Sequence, residues 1–445
     1  MLNKSFKILI IIAIAALPLA TVLLCSDDGV KVINDDAGWC WFQDERAIFA
    51  NGKLIVGSVA AGKANASRRG NIEVSSMDPA TGRTERFVLR QNLELDDHDA
   101  PALLEMPDGR ILAFYSKHNK DLSIRYRITT NPGDITDWQP EKTYDFKPGD
   151  HNVTYSNLFR LEKESGRIYD FFRGEDFDPG ALVSGDGGAT WKYAGRIVGG
   201  PGRPYVCYAS DNSDTVHFVC TEQHPRDFDN SLYHGYLRGG RIYNSYGAEA
   251  GALGMKPAEH KDLTRIFKGD ANNVAWPSDV ELASDGRIYV VYSVQKDGAG
   301  LLPGMGGKDH RYRYAWFDGK DWHDHGIAYA GSKLYSGEDD YTGLVCLNPA
   351  SPDTVYFSTN VDPVSGKKMK SRADGLNHYE LFKGVTEDGG ATWKFTPVTS
   401  DSNEDQIRPN VPKGGPDGSA LIWLRGKMKT FTDYDFEMVV KFPAP

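Results

Sequence analysis

Short runs of alternating apolar and polar residues recur along the whole chain, each after a turn rich in Gly, Asp or Ser. Such alternation on both sides of a two- to four-residue turn is typical of a β-hairpin. The second arms of these hairpins read NGKLIVGSVA from Asn51, DGRILAFYSKH from Asp108, SGRIYDFFRGE from Ser165, DTVHFVCTEQH from Asp214, DGRIYVVYSVQ from Asp285, DTVYFSTNVD from Asp353 and GSALIWLRGK from Gly418. The chain therefore repeats one hairpin seven times.

The spacing of these hairpins predicts the architecture. They recur at intervals of about 50 to 70 residues with no sustained helical pattern between them, as in the blades of a β-propeller. No Pro/Ser linker or charge block divides residues 26–445. We therefore predict an all-β fold, a seven-bladed β-propeller, that takes in these residues as a single catalytic domain.

Two further segments support a propeller. SGDGGATW at 184–191 and TEDGGATW at 386–393 match the Asp-box pattern of propeller hydrolases. In such a box the acidic side chain closes a tight turn, and the tryptophan packs between neighbouring blades. We therefore expect Asp186 and Asp388 to form turns and to take no part in catalysis.

The N-terminus predicts export. Lys4 and Lys7 precede an apolar run that is too short for a membrane span and is typical of a secretory signal within residues 1–25. Cleavage near Ala20 would release a secreted or periplasmic protein. Lipid attachment at Cys25 would instead give an outer-membrane lipoprotein, and both alternatives stay open.

Composition narrows the choice of partner. The net charge of −10 argues against a general affinity for nucleic acid or anionic membranes, so an anionic ligand needs a local cluster of cations. None of the five cysteines falls in a CxxC pair, which argues against a zinc knuckle. We expect Cys207 and Cys220 to be two buried thiols, and the protein to be a monomer.

The first strand of each hairpin should line the central channel, and these strands begin with unusually polar residues. The polar positions on this rim are Gln43, Asp44, Arg46, His98, Tyr155, Asn157, Arg203, Tyr205, Asp279, Tyr341 and Arg408. One end of the channel should therefore carry a dense set of functional groups, among which we expect Gln43, Arg46, Arg203 and Tyr205 to bind substrate.

Two histidines bracket the second hairpin. The two ends of a hairpin lie side by side, and His98 and His118 each stand ten residues from Asp108. Both imidazoles should therefore converge on one face of the propeller near its axis. The same reasoning predicts that Tyr155 lies close to Arg173 in the third blade. It also predicts that Arg203 and Tyr205 lie close to His224 and Arg226 in the fourth.

These residue types favour β-elimination on a uronic acid over glycoside hydrolysis. A glycosidase needs two facing carboxyl groups, whereas Asp96, Asp97 and Asp99 cluster in one loop. In the elimination, an arginine neutralises the carboxylate, a neutral His or ionised Tyr removes the proton on carbon 5, and a Tyr hydroxyl or imidazolium protonates the departing oxygen. This chemistry requires no cofactor. The acidic turn at 337–340 could hold a structural calcium ion, although a solvated turn is the favoured interpretation.

The same residues carry a family resemblance. The Asp boxes, WCWFQDERA, the His98/His118 pair, VTYSN, YDFFRGE, RPY and EQHPR resemble the BNR-repeat propellers that include the ulvan lyases, and in particular the L-rhamnose-α-1,4-D-glucuronate lyases. This resemblance implies cleavage of rhamnose caps on arabinogalactan-type glycans. It also implies a catalytic set of His98, His118, Tyr155 and Arg226, with Arg173 and His224 as supporting neighbours. Tyr205 and Tyr208 are alternatives for the tyrosine.

Two other functions stay open. A related branch of α-L-rhamnosidases depends on a histidine in the first blade, where this chain has Gln43, a side chain that does not exchange protons near neutral pH. A non-catalytic propeller could bind a uronate-containing glycan through the same arginines. Arg173 and Arg226 could alternatively form ion pairs with Asp176 or Asp227.

Overall fold

The computed structural model describes residues 29–149, 151–302, 304–415 and 420–443. The predicted signal segment and Cys25 lie outside these residues. The described chain forms thirty strands in seven antiparallel sheets, numbered here in chain order. The prediction of an all-β, seven-bladed propeller is therefore confirmed.

Each sheet is one blade, with its first strand innermost. Blades one to three contain β2 (Ala47–Ala50), β3 (Lys53–Val59), β4 (Ile72–Met77), β5 (Thr84–Arg90); β6 (Ala102–Glu105), β7 (Ile111–Ser116), β8 (Ser123–Ile128), β9 (Lys142–Asp145); β10 (Leu158–Leu161), β11 (Arg167–Arg173), β12 (Pro179–Ser184) and β13 (Lys192–Arg196). Blade four is larger and contains β14 (Val206–Ser210), β15 (Thr215–Cys220), β16 (Leu232–Arg238), β17 (Arg241–Asn244), β18 (Glu249–Ala252) and β19 (Thr264–Phe267). Blades five and six contain β20 (Val274–Leu282), β21 (Ile288–Gln295), β22 (His310–Phe317), β23 (Trp322–Gly331); β24 (Val345–Leu347), β25 (Thr354–Thr359), β26 (Glu380–Val385) and β27 (Lys394–Pro397).

The two ends of the chain share the seventh blade. This blade contains β28 (Asp405–Asn410), β29 (Leu421–Thr430), β30 (Asp433–Lys441) and β1 (Val30–Asn34). Because β1 pairs with β30 from Val30 opposite Lys441, the first strand of the chain closes the ring as the outer strand of the last blade. Such closure covers the edge of the last sheet.

Helical structure within these ranges is limited to short 3-10 turns: Ala66–Arg68, Asp97–Asp99, Glu162–Glu164, Glu175–Phe177 and His260–Asp262. No helix in the described part of the chain has the length and hydrophobicity needed to cross a bilayer.

The Asp boxes close turns at the outer strands of blades three and six. Asp186 accepts hydrogen bonds from the hydroxyls of Ser184 (2.8 Å) and Thr190 (2.6 Å). The Trp191 ring lies 4.6 Å from that of Phe114 in blade two, and the Trp393 ring lies 5.2 Å from Tyr314 in blade five. The predicted role in turn formation and blade packing is confirmed for both boxes. Cys207 and Cys220 are buried free thiols, also as predicted.

The segment Gly38–Arg46 fills the central channel. Trp41 donates to the Pro277 carbonyl in blade five (3.2 Å), and the Asp44 amide donates to Asn157 at the start of blade three (2.9 Å). The Trp41 ring packs edge-on against Trp276 at 5.2 Å. Aromatic side chains therefore fill the channel below its mouth.

Candidate active site

The two histidines meet at this mouth. Asp97–Asp99 forms a 3-10 turn whose preceding residue, Asp96, accepts a hydrogen bond from the His98 amide (3.0 Å). His118 follows β7, and its imidazole stacks on that of His98 with ring centroids 4.0 Å apart and an interplanar angle of 15°. The predicted convergence of these side chains is confirmed.

One carboxylate holds both rings. Asp96 Oδ1 lies 2.7 Å from Nδ1 of His98, and Asp96 Oδ2 lies 3.0 Å from Nδ1 of His118. A carboxylate only accepts hydrogen bonds, so each Nδ1 carries a proton and each Nε2 remains for a ligand. Asp96 is 1% exposed. Burial opposes its charge, but the histidines outweigh burial and lower the pKa of Asp96.

The two imidazoles differ in charge. Burial alone would lower the pKa of His98, but the surrounding negative groups, Asp96 and Asp97 among them, raise it well above the ordinary value. Burial and the positive charge on His98 lower the pKa of His118 to about 4. These shifts favour a charged His98 stacked on a neutral His118 near neutral pH, which leaves His118 able to act as a base.

A buried ion pair holds the turn Asp97–Asp99 in place. The Arg408 guanidinium lies 2.6 Å from Asp97 Oδ2, and both side chains are 1% exposed. The Asp97 amide donates to the Phe431 carbonyl (3.0 Å), and the Phe431 ring packs edge-on against both imidazoles, 5.3 Å from His98 and 5.8 Å from His118. The seventh blade therefore fixes the position of the twin histidines.

Tyr155 and Arg173 stand beside the histidines. The Tyr155 ring centroid is 5.8 Å from that of His98, and its hydroxyl has no hydrogen-bond partner among the residues the structure describes. The backbone at Tyr155 has φ of 67°, in the left-handed region that costs a non-glycine residue about 1–3 kcal/mol. Burial raises the pKa of Tyr155 well above its ordinary value, so the phenol is protonated.

Arg173 is the cation nearest this pair. Its guanidinium carbon lies 5.0 Å from the Tyr155 ring centroid and 5.4 Å from that of Tyr205. The residue is 4% exposed, and Nη1 has no hydrogen-bond partner within the described ranges. The alternative ion pair with Asp176 does not form, since Arg196 takes that carboxylate (2.7 Å).

The environment of Arg226 differs from the one expected of a catalytic residue that neutralises the substrate carboxylate. Its guanidinium is paired with Glu338 (2.6 Å) and lies 3.7 Å from Asp227, so its charge is already balanced. The His224 ring is 5.3 Å from that of Tyr205. The predicted contact of this blade is therefore present, with Arg203 also over Tyr205 at 5.9 Å. The main unpaired cation, however, is Arg173.

Three sequence predictions need correction. Gln43 is fully buried and donates to the His98 carbonyl, and Arg46 is held by the Trp41 carbonyl (2.8 Å) and Asp44, so both side chains already have partners within the chain and act as supporting residues. Tyr208 stacks on Phe171 at 4.8 Å within the blade packing and is excluded as the site tyrosine.

The acidic turn at 337–340 is not a solvated turn. Glu338 pairs with Arg226, Asp339 pairs with Lys333 (2.6 Å), and Asp340 is 4% exposed. The expectation of a freely solvated turn is wrong because two of its carboxylates are ion-paired and the third, that of Asp340, is buried.

Sequence reasoning missed three residues of the site. Asp96 carried a signal, since it is two residues before His98, but its bridging of two rings depends on the hairpin geometry. Phe431 and Tyr335 arrive from the seventh blade and from the loop between blades five and six. The Tyr335 hydroxyl is buried and unpaired within the described part of the chain, and nothing in the local sequence marks either residue.

Three side-chain groups in the described part of the chain have the composition of a metal site, and one of them, Cys40, Asp97 and His98, has its Asp97 already paired with Arg408. The other two are Asp96, His98 and His118, and His224, Glu338 and Asp340. In the first of these two Asp96 already holds both Nδ1 atoms. In the second, His224 Nδ1 accepts the Arg226 amide (3.0 Å), which places the proton of the neutral ring on Nε2, the atom facing Glu338. Neither group presents a free set of ligand atoms.

Known proteins share this architecture. An ulvan lyase solved with a bound -[GlcA(1-4)Rha3S]- saccharide superposes with a TM-score of 0.66 at 15% identity, covering 92% of this chain and 94% of that one. A further polysaccharide lyase gives a TM-score of 0.52 at 11% identity, covering 90% of both chains. At these identities the likeness concerns the fold.

Comparison of sequences identifies the family, which the likeness in fold does not. No curated protein matches the chain. The model of the BNR repeat-containing family matches residues 59–329, from the end of β3 to β23. This match covers more than half of the chain, and the chain belongs to the BNR repeat-containing family.

Proposed function

We propose that this protein is a polysaccharide lyase that cleaves a glycosidic bond beside a uronic acid by β-elimination. The observation that carries the proposal is the stacked histidine pair that shares Asp96, next to polar groups of Tyr155 and Arg173 that have no hydrogen-bond partner among the described residues. The fold-level likeness to an ulvan lyase and to a second polysaccharide lyase agrees with it.

Arg173 is the group we assign to the uronate carboxylate. The proton on carbon 5 is weakly acidic while the adjacent carboxylate is negative. A guanidinium that neutralises the carboxylate stabilises the charge that develops in the transition state. Arg173 fits this role better than Arg226 because its charge has no carboxylate partner, whereas Glu338 balances Arg226.

His118 is the base in this proposal. With its proton held on Nδ1 by Asp96, the neutral ring presents the Nε2 lone pair to substrate. The C5–H electrons form the C4=C5 double bond, the C4–O4 bond breaks, and Tyr155 donates its phenol proton to the departing oxygen. The His98 imidazolium supplies positive charge beside the developing anion. The products are a 4,5-unsaturated uronate and a sugar with a free hydroxyl.

We further propose that the substrate is the L-rhamnose-α-1,4-D-glucuronate cap of arabinogalactan-type glycans, acted on by an exported monomer. The support is the resemblance of the motifs that supply His98, His118, Tyr155 and Arg173. Free rhamnose and an unsaturated glucuronate on the remaining glycan are the expected products.

The test is incubation of the purified protein with gum-arabic-type arabinogalactan, following ultraviolet absorbance and released rhamnose together. We expect both to rise in step, and His118→Ala to abolish both. His323→Ala is the matched control, because His323 lies on β23 and bonds Asp318 (2.9 Å) away from the site. Rhamnose without absorbance would identify a hydrolase, and binding without either product a non-catalytic propeller.

A further inference from the structure

A cavity lined by Arg226 lies outside the proposed catalytic set of His98, His118, Tyr155 and Arg173. Its volume is about 440 Å³, within the usual range of small-ligand sites. Its walls are the segments 225–229 and 298–302, the turn around Asp339 and Asp340, and Gln295. Arg226 lines this cavity, and its amide bonds His224, whose ring packs against Tyr205. Arg226, His224 and Tyr205 therefore connect the lining of the cavity to the residues beside the twin histidines.

Asp340 gives the cavity an unsatisfied hydrogen-bond acceptor. The residue is 4% exposed, and Oδ2 has no hydrogen-bond partner in the parts of the chain described. With its amide oriented to suit its neighbours, Gln295 donates to Asp340 Oδ1 (2.7 Å) and accepts from the Gly307 amide (3.2 Å). Buried polar atoms are almost always paired, so Oδ2 calls for a donor from a ligand.

The charge of the lining selects against an anionic ligand. Arg226 is paired with Glu338 and Lys333 with Asp339, which leaves Asp340 and Asp229 without a cation. A uronate carboxylate placed here would face these carboxyl groups with no unpaired guanidinium, in contrast to the environment of Arg173. The cavity therefore suits a ligand that offers hydroxyl donors and no negative charge.

The rim supplies apolar contact area. Leu301, Leu302 and Phe228 line the cavity and are 49%, 76% and 45% exposed. Large apolar side chains that are exposed together at the mouth of a polar cavity are typical of a binding site, because their exposure to water does not stabilise the fold. The C–H face of a sugar ring can cover such side chains while its hydroxyls point inward.

We propose that this cavity is a second sugar subsite, which holds a neutral sugar unit of the same glycan with one hydroxyl on Asp340 Oδ2 and its apolar face on Leu301 and Leu302. This inference rests on the proposed function, because it makes the cavity a continuation of the uronate site. The glycan then passes from a subsite that requires a carboxylate to one that rejects it.

The test separates the two subsites by binding. Neutral arabinogalactan oligosaccharides and free D-glucuronate are titrated separately into the whole protein, with affinity measured by ligand-observed NMR. Asp340→Asn, which replaces the free acceptor with an amide, and Leu302→Ala should each weaken the neutral oligosaccharide about 10-fold. Leu376→Ala is the matched control, because Leu376 is 60% exposed and lies outside the cavity lining.

Each outcome has a distinct meaning. Loss of neutral-sugar binding in both variants, with glucuronate binding sensitive only to Arg173→Met, supports the inference even if the wild-type protein releases no unsaturated product. Unchanged neutral-sugar affinity in Asp340→Asn and Leu302→Ala overturns it, whatever the lyase assay gives. A wild-type cavity that binds glucuronate or calcium through Asp340 also overturns it.

Discussion

Replacing Asp96 with asparagine tests the division of labour between the two histidines. Asp96 accepts three hydrogen bonds, from the His98 amide (3.0 Å), His98 Nδ1 (2.7 Å) and His118 Nδ1 (3.0 Å). Asparagine keeps the shape but has one acceptor oxygen and a donor NH₂ group. One imidazole must therefore face a donor. If its Nδ1 accepts from that group, the ring proton moves to Nε2, and the lone pair that faces substrate is lost.

The expected loss of activity is large. General acid–base catalysis contributes about 10²–10⁴-fold, and the same substitution in a Ser-His-Asp triad, which imposes the wrong histidine tautomer, costs about 10⁴-fold in kcat. For Asp96→Asn we expect kcat to fall about 10³–10⁴-fold, which is about 4–5.5 kcal/mol in the barrier. KM should change little, since the proposed mechanism assigns the substrate carboxylate to Arg173 and not to Asp96.

The assay is the initial rate of ultraviolet absorbance from the unsaturated uronate, with Asp99→Asn as the matched control. Asp99 lies in the same turn and is fully buried, and burial raises its pKa well above the ordinary value, which favours its uncharged form. We expect Asp99→Asn to keep most of the activity. If the activity of Asp96→Asn stays within about threefold of that of Asp99→Asn, the proposal that Asp96 fixes the positions of the ring protons is refuted.

Other substitutions and pH test the remaining assignments. Arg173→Met should lower kcat/KM about 10²–10³-fold in the absorbance assay, because the uronate charge is no longer neutralised, whereas equal activity would exclude this role. Tyr155→Phe should lower kcat about 10²-fold without lowering the free energy of unfolding in urea, since the hydroxyl it removes has no partner in the described chain. The plot of kcat/KM against pH should fall only as pH drops through about 4, where His118 gains a proton and stops acting as a base; an acid limb near the ordinary value of about 6.5 would contradict this. Arg408→Met should lower the free energy of unfolding by about 3–5 kcal/mol in urea titrations, because it leaves Asp97 buried without a cation; a loss below about 1 kcal/mol would show that the pair is not needed.

The fold was predictable because each blade repeats the same local signal. Turn chemistry and period-two alternation locate β7, β11 and β21 within a few residues of their observed bounds. The turns at Asp186 and Asp388 follow from one short motif each. Information of this kind is local, so a single sequence carries it.

The convergence of His98 and His118 was predictable for the same reason, since both belong to one hairpin and its length fixes their separation. The closing strand β1 was not predicted, because Val30–Asn34 has no turn signal and pairs with residues about 400 positions away. Gln43 and Arg46 were assigned to the rim from their place in the chain. Their burial depends on how the segment Gly38–Arg46 threads through the channel, which no local pattern specifies.

We assign to Arg173 the carboxylate-neutralising role that the sequence assigned to Arg226, and the reason is the ion pairing of each arginine. Arg173 is the last residue of the second hairpin arm of blade three, and Arg226 lies in the loop that follows the second arm of blade four. They differ in whether a carboxylate arrives from elsewhere: Glu338, 112 residues along the chain, balances Arg226, whereas Arg173 lies over two aromatic rings. A guanidinium that already has a carboxylate partner must give up that pair to bind a uronate, but one held by tyrosine faces gives up much less. In the proposed mechanism the electrostatic selectivity of this propeller therefore arises from long-range pairing of the cations, and the arginine assigned to the substrate is the one that has no carboxylate partner among the described residues.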